Sequence, residues 1–138
     1  MIVKPSLGPS LMSHNPLSIF TIVVVEDHDD TRKFLDNFLG HLGANVVLAR
    51  NAFEGVEAVK TSRPNLVLCD IKMPGRDGFD VLSEIRALGP GAGGYVPVIA
   101  MSALVTHASA RMLGFQACLA KPFTPDKLVK TILTVLND

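Results

Sequence analysis

Short runs of apolar, β-branched residues alternate along the chain with segments whose apolar residues recur every three or four positions. The first run, Thr21–Val25, stops abruptly at Glu26 and Asp27. Wholly apolar strands of this length suit a parallel sheet covered on both faces. Phe34, Leu35, Phe38, Leu39 and Leu42 then follow a helical period. Asp29 and Asp30 lie at the end where a helix dipole favours anions, and Gly43 closes the segment. A second strand is predicted over 44–49, and a second helix around Val56, Ala58 and Val59 that ends near Arg63 and Pro64. Residues 65–69 form a third apolar run, again halted by a carboxylate, Asp70.

Met73-Pro74-Gly75 and Asp77-Gly78 are turn chemistry, after which Phe79, Val81, Leu82 and Ile85 mark a third helix. The glycine-rich stretch 89–94 reads as a mobile loop. It leads to a fourth strand over 96–101, with Pro97 near its start, where a missing N–H is tolerable. A helix over 106–113, a short strand over 116–119 and a last helix opened by Pro125 complete the pattern. Leu128, Val129, Ile132, Leu133 and Leu136 occupy the apolar positions of that last helix. Five strands alternating with five helices predict a doubly wound α/β sheet. Its crossovers are right-handed, and ligands bind at the carboxy ends of its strands.

Composition narrows the picture. The length of 138 residues fits one buried core, and 48% hydrophobic against 19% charged residues is an ordinary globular mixture. Thirteen basic residues balance thirteen acidic ones without a Lys/Arg cluster, so neither a nucleic-acid surface nor an anionic membrane surface is indicated. No apolar stretch is long enough to span a bilayer. Residues 1–20, broken by Pro5, Pro9 and Pro16, lack the apolar core of a signal peptide and read as a flexible leader, with Met12 an alternative start. Residues 21–138 are then the folded domain, expected in the cytoplasm. Cys69 and Cys118 sit in apolar segments and are expected as buried thiols rather than a disulfide.

The residues that end the strands carry the candidate chemistry: Glu26 and Asp27, Asp70, Ser102, and Lys121. In this fold those ends converge on one edge of the sheet. Three carboxylates there would repel and raise one another's pKa values unless a cation joined them. Hard oxygen ligands select Mg²⁺, Mn²⁺ or Ca²⁺, and Mg²⁺ is commonly held by one or two carboxylates, waters and phosphate oxygens. A carboxylate can attack phosphorus to form an aspartyl phosphate, a reaction that rests on positioning and charge stabilisation. Lys121 would answer one phosphoryl oxygen as a point charge, and Ser102 another as a hydrogen-bond donor.

The segments Val25-Glu26-Asp27, Leu68 through Gly78 (LCDIKMPGRDG), Met101-Ser102-Ala103 and Ala120-Lys121-Pro122-Phe123 resemble the receiver domains of two-component response regulators. The resemblance covers about residues 22–136, with four motifs in order on the expected strand ends. It implies a (βα)5 flavodoxin-like fold with a five-stranded parallel sheet in order 2-1-3-4-5. It also implies Asp70 as phosphoacceptor, Asp27 as a direct Mg²⁺ ligand (Mn²⁺ a possible substitute) and Glu26 acting through water. The backbone carbonyl of Lys72 would be a further ligand, Ser102 and Lys121 would contact the phosphoryl group, and Lys121–Pro122 would be cis. The implied partners are a histidine kinase or phosphotransfer domain, and a downstream protein at the face of the fourth helix, fifth strand and fifth helix. No nucleic acid and no membrane insertion are expected. The domain would be a signalling phosphoacceptor rather than an enzyme, taking part in its own phosphoryl transfer and slow dephosphorylation.

Each residue has a plainer reading when taken alone. Acidic pairs after strands are commonly solvated, Asp before a turn is a turn former, Ser a cap and Lys a surface charge. The function rests on their conjunction. Gly89-Pro90-Gly91-Ala92-Gly93-Gly94 matches the dinucleotide pattern, but a helix precedes it and a strand follows, the reverse of what that motif needs. A flavin-binding reading fails because Glu26, Asp27, Asp29 and Asp30 would repel phosphate after the first strand. His28 reads as an exposed loop residue, and His14, His41 and His107 have no ligand spacing. A phosphatase lacks a second general acid. A degenerate receiver, acting as a constitutive interaction module, is the alternative.

Two positions depart from the family pattern. Cys118 stands three residues before Lys121, where receivers commonly carry Tyr or Phe; signalling would then lean on Ser102 and the loop after it. Lys72 follows the acceptor by two residues, and is expected to pair with Glu26 across the pocket mouth and slow attack by water. The last predicted helix reaches the chain end, so no output module is expected after it. A stand-alone regulator and a receiver from a hybrid kinase, which Gly114-Phe115-Gln116 resembles, both stay open.

Overall fold

In the computed structural model, which describes residues 15–103 and 113–137, the strands are β1 (Thr21–Val25), β2 (Asn45–Ala49), β3 (Leu66–Asp70), β4 (Val98–Ser102) and β5 (Ala117–Ala120). They form one sheet in the order β2-β1-β3-β4-β5, as expected, and every pairing is parallel. Helices α1 (Asp29–His41), α2 (Ala52–Ser62), α3 (Gly78–Ala87) and a C-terminal helix (Pro125–Leu136) cover it. The helix predicted over 106–113 lies almost wholly outside the described residues, as do most of the leader, His14 and His107.

Strand side chains alternate between two apolar layers. Val23, Val25, Val67, Cys69, Val98 and Ala100 face α2 and α3, meeting Val56, Val59, Val81 and Ile85. Ile22, Val24, Leu66, Leu68, Ile99 and Met101 face α1 and the C-terminal helix, meeting Leu35, Leu39, Leu128 and Ile132. Both faces of the central strands are thus buried, which is why these strands read as continuous apolar runs. Each fully buried aliphatic side chain contributes roughly 1.5–3 kcal/mol.

Local chemistry sets the helix starts. The Asn51 side chain accepts from the Glu54 N–H, and Thr124 accepts from the Lys127 N–H ahead of Pro125. Asp77 and Asp80 form a reciprocal capping box at α3. Helix α2 ends at Arg63 in the left-handed region (φ 46°), immediately before Pro64.

Three expectations are adjusted. β4 begins at Val98 rather than residue 96, because Pro97 joins the ladder only as an acceptor, its carbonyl taking the Val67 N–H at 2.9 Å. The glycine-rich segment is tied down rather than a free loop. Pro90–Ala92 forms one 3-10 turn, Gly94 N–H donates to the Gly89 carbonyl at 2.8 Å, and Arg63 donates to the Gly91 carbonyl at 2.6 Å. The end of the predicted leader also packs on the domain: Leu17 is fully buried in the second layer and its N–H donates to the Leu42 carbonyl at 3.1 Å. Cys69 and Cys118 form no disulfide. Among the described residues no helix is long and apolar enough to cross a membrane.

Candidate functional site

The parallel register stacks the strand ends side by side. Val25 lies level with Ala49 and Cys69, Asp70 with Met101, and Ser102 with Ala120. Asp70 and Ser102 are therefore the last residues of adjacent strands. Glu26 directly follows β1 and Lys121 directly follows β5. The Lys121 N–H donates to the Ser102 carbonyl at 3.0 Å, and the Lys121–Pro122 bond is cis.

These ends surround a cavity of about 460 Å³, lined by Glu26, Asp27, Asp70, Ser102 and Lys121 together with His28, Thr31, Lys72 and Ala103. All the side chains predicted from sequence for the site are thus at one place. Glu26 is wholly buried, Asp70 is 6% and Ser102 4% exposed, and Asp27 is exposed. Glu26, Asp27 and Asp70 each bring one carboxylate oxygen within 4.8 Å of the others.

Lys121 holds this cluster together. Its Nζ donates to Glu26 Oε1 at 2.9 Å and to Asp70 Oδ1 at 3.2 Å. The other Glu26 oxygen, Oε2, accepts the His28 N–H at 3.1 Å. Burial, and then the charge of Glu26, push the Asp70 carboxyl up to about 6, only partly countered by Lys121. Burial alone would lower the Lys121 ammonium. The hydrogen bond and charge of Glu26, with the charge of Asp70, outweigh it and raise the group.

The donor set fits a divalent cation. Three carboxylates against one contacting ammonium leave two negative charges in a half-closed pocket, and all three donors are hard oxygens. Glu26, Asp27 and Asp70 are the groups that would hold such an ion.

The expected pairing of Lys72 with Glu26 does not form. Both Glu26 oxygens are already taken by Lys121 and His28, and Lys72 points to solvent at the pocket mouth. His28 is an exposed loop residue, as read, but it also caps α1: Nδ1 lies 3.4 Å from the donating Thr31 N–H. Cys118 is half-buried, packed against the α2–α3 layer, and burial pushes its thiol up. Sequence reasoning missed Arg32, whose guanidinium reaches back to the carbonyls of Glu26 and Asp27. A cation four positions into a helix behind an acidic turn was the available signal.

Residues 22–133 match the response regulator receiver domain family. An uncharacterized 14.6 kDa protein of Leptolyngbya boryana is 34% identical over 84% of this chain and 89% of its own length. The sensory/regulatory protein RpfC of Xanthomonas campestris is 32% identical over 91% of this chain, which spans only 18% of that protein. Among solved structures, the receiver domain of sensor histidine kinase PA1611 from Pseudomonas aeruginosa, with a magnesium ion coordinated in its active-site cleft, superposes with a TM-score of 0.76. It is 27% identical and covers 86% of this chain and 98% of that one.

Proposed function

Because the chain belongs to the response regulator receiver domain family, we propose that Asp70 accepts a phosphoryl group from the phosphohistidine of a sensor kinase or phosphotransfer domain in a Mg²⁺-dependent reaction. The observation that carries this is the Lys121 ammonium lying between Glu26 and Asp70 in a pocket with three convergent carboxylates. A Mg²⁺ ion on Glu26, Asp27, Asp70 and the Lys72 carbonyl would supply charge neutralisation for the phosphoryl oxygens.

In the transfer, an Asp70 oxygen attacks phosphorus, the P–N bond breaks with its electron pair going to the imidazole nitrogen, and that nitrogen takes a proton from solvent. Without a cation the Asp70 carboxyl is raised to about 6, and a bound divalent cation would lower it and keep the group anionic and nucleophilic. Lys121, already 3.2 Å from Asp70 Oδ1, can move its donor to a phosphoryl oxygen without crossing the pocket. Ser102, at the end of the neighbouring strand, supplies a hydroxyl to a second oxygen. No side chain acts as an added acid or base, in keeping with a signalling acceptor that slowly dephosphorylates itself.

Phosphorylation would shift a two-state equilibrium at the docking face that includes β5 and the C-terminal helix. With Cys118 in place of an aromatic residue, that shift leans on Ser102. Lys72, free of Glu26, would slow attack by water through its own charge and bulk at the pocket mouth; Lys72→Asn should raise the dephosphorylation rate. The receiver domain takes in residues 21–138 with the segment around Leu17 packed into its core, and works in the cytoplasm.

Incubation with acetyl phosphate and Mg²⁺, read by intact mass, tests the proposal. The expected result is one added phosphoryl group, absent in Asp70→Asn and absent with chelator. No labelling under saturating conditions would instead favour a constitutive interaction module.

A further inference from the structure

Arg32 lies one turn into α1, behind the acidic pocket rather than in it. Its side chain is only 12% exposed, uncommon burial for an arginine. One guanidinium nitrogen, Nη1, donates to the Glu26 carbonyl at 3.0 Å and to the Asp27 carbonyl at 3.4 Å. The other, Nη2, pairs with the Asp29 carboxylate and lowers its pKa through that hydrogen bond. Three successive features of the β1–α1 turn are therefore held by one planar group. The last ladder bond of β1 is the Glu26 N–H to the Ala49 carbonyl at 3.0 Å. Beyond it, the turn that carries both acidic side chains has left the sheet.

We infer that Arg32 is a positioning residue for the cation site, fixing the backbone from which Glu26 and Asp27 project. The inference rests on the reading of the pocket as a cation site. Two effects of Arg32 oppose each other, which makes the sign of a measurement informative. As a positive charge near three carboxylates, Arg32 by its field alone weakens the binding of a cation. As a clamp on two carbonyls and a carboxylate, it strengthens binding by holding the donors in place. Outer partners of this kind are typically worth about 10–100-fold in metal affinity. A lysine retains the charge but, as a single point donor, does not reproduce the fork.

The test is Mn²⁺ affinity, read from the electron paramagnetic resonance of free Mn²⁺, for the wild-type chain, Arg32→Met and Arg32→Lys. An amide NMR spectrum of each metal-free variant shows whether the fold is kept. Arg32→Met should bind about tenfold more weakly, or worse. Arg32→Lys, which keeps the charge but not the fork, should also bind more weakly than wild type. Tighter or unchanged binding in Arg32→Met, or full wild-type affinity in Arg32→Lys, overturns the inference. If the wild-type chain itself takes up no Mn²⁺, the reading of the pocket fails and this inference fails with it. If wild type binds and both variants match it, only the role of Arg32 fails.

Discussion

Strands stop at both ends of the sheet, and the polar groups left there are handled differently. At the amino ends, Thr21 N–H donates to Asn65 Oδ1 at 2.8 Å and Asn45 Nδ2 donates to Thr21 Oγ1 at 3.3 Å. Near the start of β4, Arg86 donates to the carbonyls of Gly94 and Val96 at 2.9 and 2.7 Å. Gln116 Oε1 accepts the Val98 N–H at 2.8 Å. Donors meet acceptors, and the Arg86 guanidinium is spread over neutral carbonyls although burial lowers its pKa. At the carboxy ends three carboxylates crowd one ammonium, and Asp70 is pushed up to about 6. The first arrangement is closed and stable by itself. The second is short of positive charge, so a divalent cation has something to gain there. The two ends also differ in burial, since Asn45 and Asn65 are exposed whereas Glu26, Asp70 and Ser102 are buried.

Substitutions can separate the two kinds of residue. The largest effect is expected away from both ends. Leu68 is fully buried in mid-sheet, and Leu68→Ala should cost about 2–5 kcal/mol by denaturant titration. A loss below about 1 kcal/mol would mean that the layer between β3 and α1 relaxes far more easily than close packing allows.

Gly78→Ala should act where fold and site meet. A Cβ there would lie 2.6 Å from the Asp70 carbonyl oxygen and 2.8 Å from Ile71 Cα, so the backbone carrying Asp70 must shift. We expect a loss of about 1–3 kcal/mol together with slower acetyl phosphate labelling. Gly40→Ala is the contrast. With nothing within 4 Å in α1, it should stabilise the protein by about 0.5–1 kcal/mol and leave labelling unchanged. Equal outcomes for the two glycines would remove the distinction.

Asp70→Asn should stabilise the metal-free protein. The native carboxyl is raised from 3.8 to about 6, so the folded state holds its proton more tightly than the unfolded state. The stability this contributes is fully present below about pH 4 and is lost as pH rises through about 6. The neutral amide avoids that loss. Melting curves in chelator should therefore show little difference near pH 4 and an advantage of about 1–3 kcal/mol above pH 6. A destabilised Asp70→Asn at neutral pH would show that the Lys121 contact outweighs burial and the charge of Glu26.

The smallest destabilisation belongs to the closed end. Asn65→Ala removes the acceptor for the Thr21 N–H and should cost about 1 kcal/mol. Labelling of Asp70 should stay at the wild-type rate. A slowed rate would show that the two ends are coupled through β1 and β3.

Much of the fold was readable because its signals are local. Apolar runs such as Thr21–Val25, the caps at Asn51, Asp77 and Thr124, and Pro125 at a helix start each act within a few residues. The doubly wound parallel sheet followed from alternation and handedness, and its strand order from the family resemblance. Where the reading slipped, the deciding partner was distant in sequence. Leu17 is buried because Leu42 receives its N–H, and the glycine-rich segment is held by Arg63, 28 positions earlier.

The sequence by itself determined which residue types would stand at the strand ends, and hence that Glu26, Asp27, Asp70, Ser102 and Lys121 would share one edge. Periodicity and crossover chirality suffice for that, because they act on backbone direction. Only the tertiary structure decided which charges pair. Lys121, 95 residues away, takes Glu26, while Lys72, two residues from Asp70, turns to solvent. It also decided that Arg32 braces the acidic turn from behind. Pairing depends on distances of a few ångströms between side chains on different elements. Those distances exist only once both apolar layers have closed around the sheet.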